Sequence, residues 1–355
     1  MKKAYIAMSG GVDSAVAALL MIQAGYECTG VTMIAGNGSN IDVPLDMSGL
    51  LGDAQDAKAV CMKIGIPHET IYLRACFKEK VIDEFVSEYK AGRTPNPCVT
   101  CNKCIKFGAL LDSLHGAEIY ATGHYARTEY DPGSQKWLLK KAADETKDQS
   151  YMLYSLNQTQ LGRVRFPLGE YTKADVRRIA AENGFEVAGK HDSQDICFIP
   201  DGDYAGFIAD IDGDTQTPGD FVEKSTGRIL GRHKGQLHYT IGQRRGLGLA
   251  LPEPLYVCGR NLEDNTVILC TNNELFTREL TARNINFCSI ESPTEGERKR
   301  CTAKIRYAHK PAPAEYYIEN GMLHITFDEP QRAVTPGQSV VLYDGDVVLG
   351  GGICM

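Results

Sequence analysis

The 355-residue chain lacks any apolar run of membrane-spanning length, so no helix crossing a bilayer is expected. It also lacks an excess of positive charge. A formal net charge of −7 excludes a global basic field and confines any nucleic-acid surface to a local patch. No secretory leader is visible, because Met1-Lys2-Lys3 runs at once into an apolar strand, and a cytoplasmic setting is the default expectation. There is no internal repeat and no low-complexity segment. What remains is an ordinary globular composition, 43% hydrophobic and 23% charged, long enough for two or three domains.

Cysteine is the residue the chain does not lack. A reducing compartment disfavours structural disulfides, so twelve cysteines need another account. Cys28, Cys61, Cys258, Cys270, Cys288 and Cys301 sit in apolar or strand-like contexts and read as small core hydrophobes.

The chain is organised around Ser9-Gly10-Gly11-Val12-Asp13-Ser14. An apolar run at 4–8 precedes it and a helix-forming run at 15–21 follows it. Strand, glycine turn and helix make a phosphate site, in which backbone N–H groups and the helix dipole face an anion. The glycines permit backbone angles that a side chain forbids. Asp13 would cap the helix or act through Mg²⁺. The lysine of a Walker loop is missing, and so is the G-x-G-x-x-G spacing of a dinucleotide fold. The motif resembles the PP-loop, SGGxDS, of the ATP pyrophosphatases, which cleave ATP between its α- and β-phosphates and adenylate a substrate oxygen.

Strand patterns at 4–8, 28–34, 68–73 and 117–121 alternate with helical patterns at 13–24, 50–64, 76–91 and 105–114. That alternation predicts a parallel sheet covered on both faces, with the ligand beyond the strand C-termini. Further helical patterns cover 152–161 and 173–183. After about residue 205, glycine, proline and short β-branched runs predict β-barrels or sandwiches, with a boundary near 276–280.

The stretch Thr94-Pro95-Asn96-Pro97-Cys98-Val99-Thr100-Cys101-Asn102-Lys103-Cys104 carries C-x₂-C-x₂-C. Its prolines argue for a stiff polar loop. Thiols this dense suggest either metal or cluster binding or redox and sulfur chemistry. A complete Cys₄ site needs a distant fourth ligand, for which Cys197 is the candidate.

With these segments in view, the chain resembles the bacterial tRNA 2-thiouridylases, the tRNA-uridine 2-sulfurtransferase family. The matching segments are 7–14, 91–97, 101–103, 105–107, 121–125, 147–151, 196–199, 238–248 and 335–339. The resemblance implies an α/β plus all-β architecture. An adenine-nucleotide alpha-hydrolase-like domain spans 1–205, a small central β-domain 206–279 and a C-terminal tRNA-binding β-barrel 280–355. It implies that Ala7, Met8, Ser9, Gly10, Gly11, Val12, Asp13, Ser14, Met33 and Gly123 bind ATP with Mg²⁺. Asn96, Pro97 and Cys98 would lie against the target base. Cys101 would be the nucleophile and Cys197 the persulfide carrier, the two forming a disulfide in turnover. His124, Lys147, Asp148, Gln149, Arg306, Tyr307 and Gln338 would contact tRNA.

The implied reaction is 2-thiolation of the wobble uridine in tRNAs for Glu, Gln and Lys, with sulfur from a cysteine desulfurase or a relay protein. Lys190 or His191 would favour the Cys197 thiolate. Two departures stand out: Cys98 where many relatives carry Asp, and Cys104 where many carry a polar residue. They keep open an iron–sulfur cluster on Cys98, Cys101, Cys104 and Cys197. The loop after Met33 lacks the acidic run common in relatives.

Positive charge concentrates at Arg298-Lys299-Arg300, Lys304, Arg306, His309 and Lys310, with no acid between 298 and 310, and Tyr307 offers a stacking face. Gln243-Arg244-Arg245-Gly246 is a second basic turn. Two other functions compete. An ATP-dependent amide-forming ligase would leave the cysteines idle, and a metal-held RNA-binding module would not cleave ATP.

Overall fold

The computed structural model describes residues 2–36, 48–185, 196–213 and 217–355, and the side chains of 48–51 are not described. Lys190, His191 and most of the loop after Met33 therefore lie outside the described residues.

Four strands, β1 (Lys3–Ala7), β2 (Glu27–Ile34), β3 (His68–Tyr72) and β4 (Ile119–Ala121), and the short strand Val164–Arg165 form one parallel sheet in the order β3-β2-β1-β4-Val164–Arg165. Strand order reverses beside β1, and the glycine turn leaves β1 at that switch point, where open α/β sheets bind ligands. The helices Val12–Gln23 and Lys173–Glu182 cover one face through Val16, Ala17, Val176 and Ala180. Ile6, in the middle of β1, is fully buried, which is worth about 1.5–3 kcal/mol for a side chain of this size.

The second half is β-structure, as expected. Gly219–Glu223, Ile229–His233, Tyr256–Asn261 and Thr266–Cys270 make a four-stranded sheet around Phe221, Val257 and Val267. Six later strands close into a barrel, because Phe276–Phe287 pairs with both Met322–Arg332 and Val347–Cys354. Along Met322–Arg332, Leu323, Ile325 and Phe327 alternate inward, the period-2 pattern of a half-buried strand. Residues 276–280, read from sequence as a boundary, form the first part of the continuous strand Phe276–Phe287.

The sequence pattern also misses a hairpin. Arg127–Asp131 and Lys136–Lys140 leave the N-terminal region and extend the barrel sheet along Val347–Cys354. The region predicted as one helix over 152–161 is a 3₁₀ turn, Ser150–Met152, followed by the short helix Gln158–Arg163.

Candidate active site

The glycine turn closes on itself through serine. Ser14 Oγ donates to Gly11 O at 2.9 Å and accepts from Ser9 N at 3.2 Å. Gly10 has φ +71°, and a Cβ there would lie 2.5 Å from Asp53 O, so this position admits only glycine. Gly11 differs: its φ of −103° is open to any residue, and a Cβ would stand 3.5 Å from Ser9 Oγ. The reason for glycine at 11 is therefore room on the loop and not backbone strain. Gly123 packs from the next strand end, where a Cβ would meet Asp13 C and Ser14 N at 2.9 Å. Met8 is buried and its N–H donates to Val31 O, and Met33 stands half-buried on β2.

A lysine absent from the motif reaches the turn from elsewhere. Lys173 Nζ donates to Asp13 Oδ1 at 2.7 Å and Oδ2 at 2.9 Å, and Tyr125 OH donates to Oδ1 at 2.9 Å. Lys173 opens a helix capped by Thr172 with Asp175. A Thr-x-x-Asp capping box followed by a helical run is a readable helix start, but its proximity to Asp13 is a tertiary fact.

The cysteine stretch is helical, which corrects the expected polar loop. Asn96 is the N-cap, its side chain accepting from Cys98 N at 3.2 Å, and Pro97 sits in the first turn, where a missing N–H costs nothing. Pro97–Thr100 continues as a π-helix over Cys101–Ala109, a form often found at functional sites. Cys101 and Asn102 are buried, Cys98 is exposed and Cys104 half-buried. Asn102 Nδ2 donates to Met152 O at 3.0 Å, holding the helix against the turn after Gln149.

Cys197 comes to the same place. Cys101 and Ile105 share one apolar cluster with Phe198 and Ile199, on a floor made by Phe77, Val81, Phe85 and Tyr89. The rings of Phe77 and Phe85 meet Phe198 edge-on at 5.7 and 5.5 Å. Burial pushes the Cys101 thiol up to about 12, and negative charge on Cys197, Cys98 or Cys104 raises it further, while Lys106 opposes the shift. Protein crowding also raises the exposed Cys197 and Cys98 thiols, and Lys106 again pulls both down. Lys106 thus serves all three thiols, a role its place in the sequence does not reveal.

All twelve cysteines lie among the described residues and are free thiols. Their arrangement does not fit a cluster. Among the described residues no three Cys, His, Asp or Glu side chains gather around a point that could hold a metal.

The expected tRNA contacts divide. Asp148 is buried and accepts from Ala142 N, Ser150 N and Ser150 Oγ, and Gln149 exchanges two hydrogen bonds with the Tyr125 backbone, so both shape a turn. His124 bonds Thr122 Oγ1 through Nδ1 at 2.8 Å, and burial holds its pKa well below the ordinary value, so it is neutral. Gln338 Nε2 donates to Thr94 O at 2.8 Å.

On the barrel, Arg298, Lys299 and Arg300 are paired with Glu315 on the adjacent strand Ala312–Glu319, Glu297 just before the run, and Asp328 on Met322–Arg332, one strand further along the sheet. The absence of acid along the sequence from 298 to 310 hid these pairs. Lys304 stands between the rings of Tyr151 and Tyr307 at 5.7 and 5.6 Å, and burial lowers its pKa and that of Arg306.

Three family profiles cover most of the chain. A tRNA methyl transferase HUP domain matches 2–201, a tRNA methyl transferase PRC-barrel domain 206–271, and an aminomethyltransferase beta-barrel domain 277–354. The chain is 46% identical to the tRNA-specific 2-thiouridylase MnmA of Acetivibrio thermocellus over 99% of both chains. It is 47% identical to that of Clostridioides difficile, over 99% of this chain and 98% of the relative. The chain belongs to the tRNA-specific 2-thiouridylase family. A third member, MnmA 2 of Caldanaerobacter subterraneus subsp. tengcongensis, is 49% identical over 99% of this chain. The three profiles account for the parallel sheet, the central β-domain and the closed barrel of this family member. No helix among the described residues is long and apolar enough to cross a membrane.

Proposed function

We propose that this chain is an ATP-dependent tRNA sulfurtransferase that converts the wobble uridine to 2-thiouridine. The observation that supports the reading is the shared cluster of Cys101 with Phe198 and Ile199, the two residues that follow Cys197, although Cys101 and Cys197 are 96 positions apart in sequence.

The uracil 2-carbonyl is a poor electrophile. Attack of its oxygen on the α-phosphate of ATP expels pyrophosphate and makes AMP the leaving group. Backbone N–H groups of the 9–14 turn are suited to the phosphates, with the Lys173 ammonium held beside them on Asp13. Mg²⁺ would enter with ATP, and Asp13 is the carboxylate at hand.

Cys197 receives sulfur as a persulfide from a cysteine desulfurase or a relay protein. The terminal sulfur attacks C2 and displaces AMP, leaving a disulfide link between Cys197 and the base. The Cys101 thiolate then attacks the Cys197 sulfur. The electron pair of the broken S–S bond stays on the base sulfur as 2-thiouridine, and a Cys101–Cys197 disulfide remains for an external thiol to reduce. The target uridine must leave its stack to reach this site, and Asn96, Pro97 and Cys98 would line its path. We assign tRNAs for Glu, Gln and Lys as substrates.

The test is Cys101→Ser and Cys197→Ser, assayed for 2-thiouridine by mass spectrometry and for tRNA-dependent pyrophosphate release. Both variants should release pyrophosphate and form no 2-thiouridine. Normal thiolation by Cys197→Ser would overturn the persulfide route. Absence of tRNA-dependent pyrophosphate release from the unmodified protein would overturn the adenylation step.

A further inference from the structure

The segment that leads into the cysteine helix is gripped by both β-domains. It begins in the helix Asp83–Lys90, which carries Phe85 and Tyr89 into the floor beneath Cys101 and Phe198. Past its C-cap Ala91 the chain turns at Gly92, which has φ +74°, and then runs through Thr94 and Pro95 to the Asn96 cap.

From the central β-domain, Arg260 Nη2 donates to Gly92 O at 2.6 Å. This guanidinium is half-buried with Nη1 unbonded, and burial holds its pKa below the ordinary arginine value. No carboxylate pairs with it among the described residues; it faces the C-terminal end of the helix, the negative pole of the helix dipole. Desolvating a charge is costly, and here only the hydrogen bond to Gly92 O and the pole of the helix dipole offset that cost.

From the barrel, Arg283 Nη2 reaches both oxygens of Glu88 at 3.1 and 3.3 Å. Glu88 also takes a two-pronged bond from Arg93 at 2.6 Å each, and these bonds hold its carboxyl below the usual range. The barrel adds two further ties: Thr94 N donates to Pro336 O at 2.8 Å, and Gln338 Nε2 donates to Thr94 O.

We infer that Arg260 and Arg283, one from each β-domain, are positioning residues for Cys101, fixing the 88–95 segment so that the cysteine helix meets the Cys197 turn in register for sulfur transfer. The inference rests on the proposed role of Cys101. It makes the two β-domains part of the catalytic geometry as well as carriers of tRNA. Neither arginine touches the thiols; each acts through the backbone or Glu88.

The experiment compares Arg260→Ala, Arg283→Ala and Arg283→Lys with the unmodified full-length protein. Measured are the thiolation rate at saturating tRNA, tRNA affinity, melting temperature, and the alkylation rates of Cys101 and of the barrel-core Cys288 by peptide mass spectrometry. Each alanine variant should keep its tRNA affinity and lose about 10- to 100-fold in saturating rate, the scale of a misplaced reacting group. Cys101 should alkylate faster while Cys288 stays protected, and Arg283→Lys should recover much of the rate.

Unchanged rate and unchanged Cys101 alkylation would overturn the inference. So would a rate loss matched by loss of tRNA affinity, or by equal exposure of Cys288, which would mean unfolding. Cys101→Ser is run alongside. If it still thiolates tRNA, the persulfide reading fails; if it is inactive while the arginine variants keep full rate, this inference fails alone.

Discussion

The glycine turn and the thiol site hold their groups by opposite means. Six consecutive residues make the turn, and its backbone is closed by hydrogen bonds among Ser9, Gly11 and Ser14, with only the Asp13 side chain tied to distant residues, Tyr125 and Lys173. The thiol site joins residues 96 apart, and its supports come from a helix before it, a turn after it and two β-domains. A locally closed loop is positioned as soon as its strand and helix form. A site assembled from afar is set only when every domain has docked, so it can respond to what binds those domains.

The sharpest way to break this comparison is to damage the turn alone. Gly10→Val places a side chain at φ +71° and 2.5 Å from Asp53 O, costing about 1–2 kcal/mol for the backbone angle before the clash. It should lower the melting temperature and abolish pyrophosphate release. Gly11→Val, where the backbone is unstrained, should keep the melting temperature and still lose pyrophosphate release. Calorimetry and a pyrophosphate assay check both, and undiminished release from Gly11→Val would remove the phosphate site from this turn. The next largest effect is expected of Lys173→Met. If the turn holds the phosphates as proposed, loss of the cation on Asp13 should cost about 100-fold in pyrophosphate release, with tRNA affinity intact. An unaffected rate would reduce Lys173 to a structural partner of Asp13.

The same contrast explains what the sequence disclosed. The parallel sheet and the turn were legible because strand, glycine pair and helix follow one another within twenty residues. The cysteine segment reads as a loop in sequence because proline breaks most helices, whereas Pro97 stands where a helix starts. Lys173 and Lys106 escaped notice because a lysine on a helix is ordinary until the fold shows what it faces. The hairpin Arg127–Asp131 with Lys136–Lys140 was missed for a similar reason: its partner strand, Val347–Cys354, lies more than two hundred residues away. On the barrel, arginines with no acid after them in sequence find partners on two other strands, Glu315 on Ala312–Glu319 and Asp328 on Met322–Arg332.

A subtler change tests the thiol site by pH. Burial keeps the Cys101 thiol protonated near neutrality, and Lys106 favours its ionised form. Removing that cation must raise the thiol further, so the rising limb of the pH–rate profile should move to higher pH in Lys106→Gln. Thiolation should fall most near pH 7 and recover partly in alkali. Single-turnover rates measured across the alkaline range decide it, and an unmoved limb would show that another group governs the thiolate.

The smallest expected effect separates the two kinds of basic residue on the barrel. Arg300 is tied to Asp328 by two bonds of 2.9 and 2.6 Å, so its charge is already answered within the protein. Lys304 and Arg306 are partly desolvated, form no ion pair among the described residues, and flank the exposed ring of Tyr307. Cations in that condition gain most from a phosphate, which replaces lost water and adds charge–charge attraction. Arg306→Ala should therefore weaken tRNA binding and flatten the log–log salt dependence by about one unit, the signature of one lost phosphate contact. Arg300→Ala removes the same formal charge from the same face and should leave the slope unchanged. Filter-binding titrations over a range of salt concentrations make the comparison. Equal changes in the two variants would mean that tRNA senses only the net charge of the barrel, and that the cations beside Tyr307 have no special part in holding it.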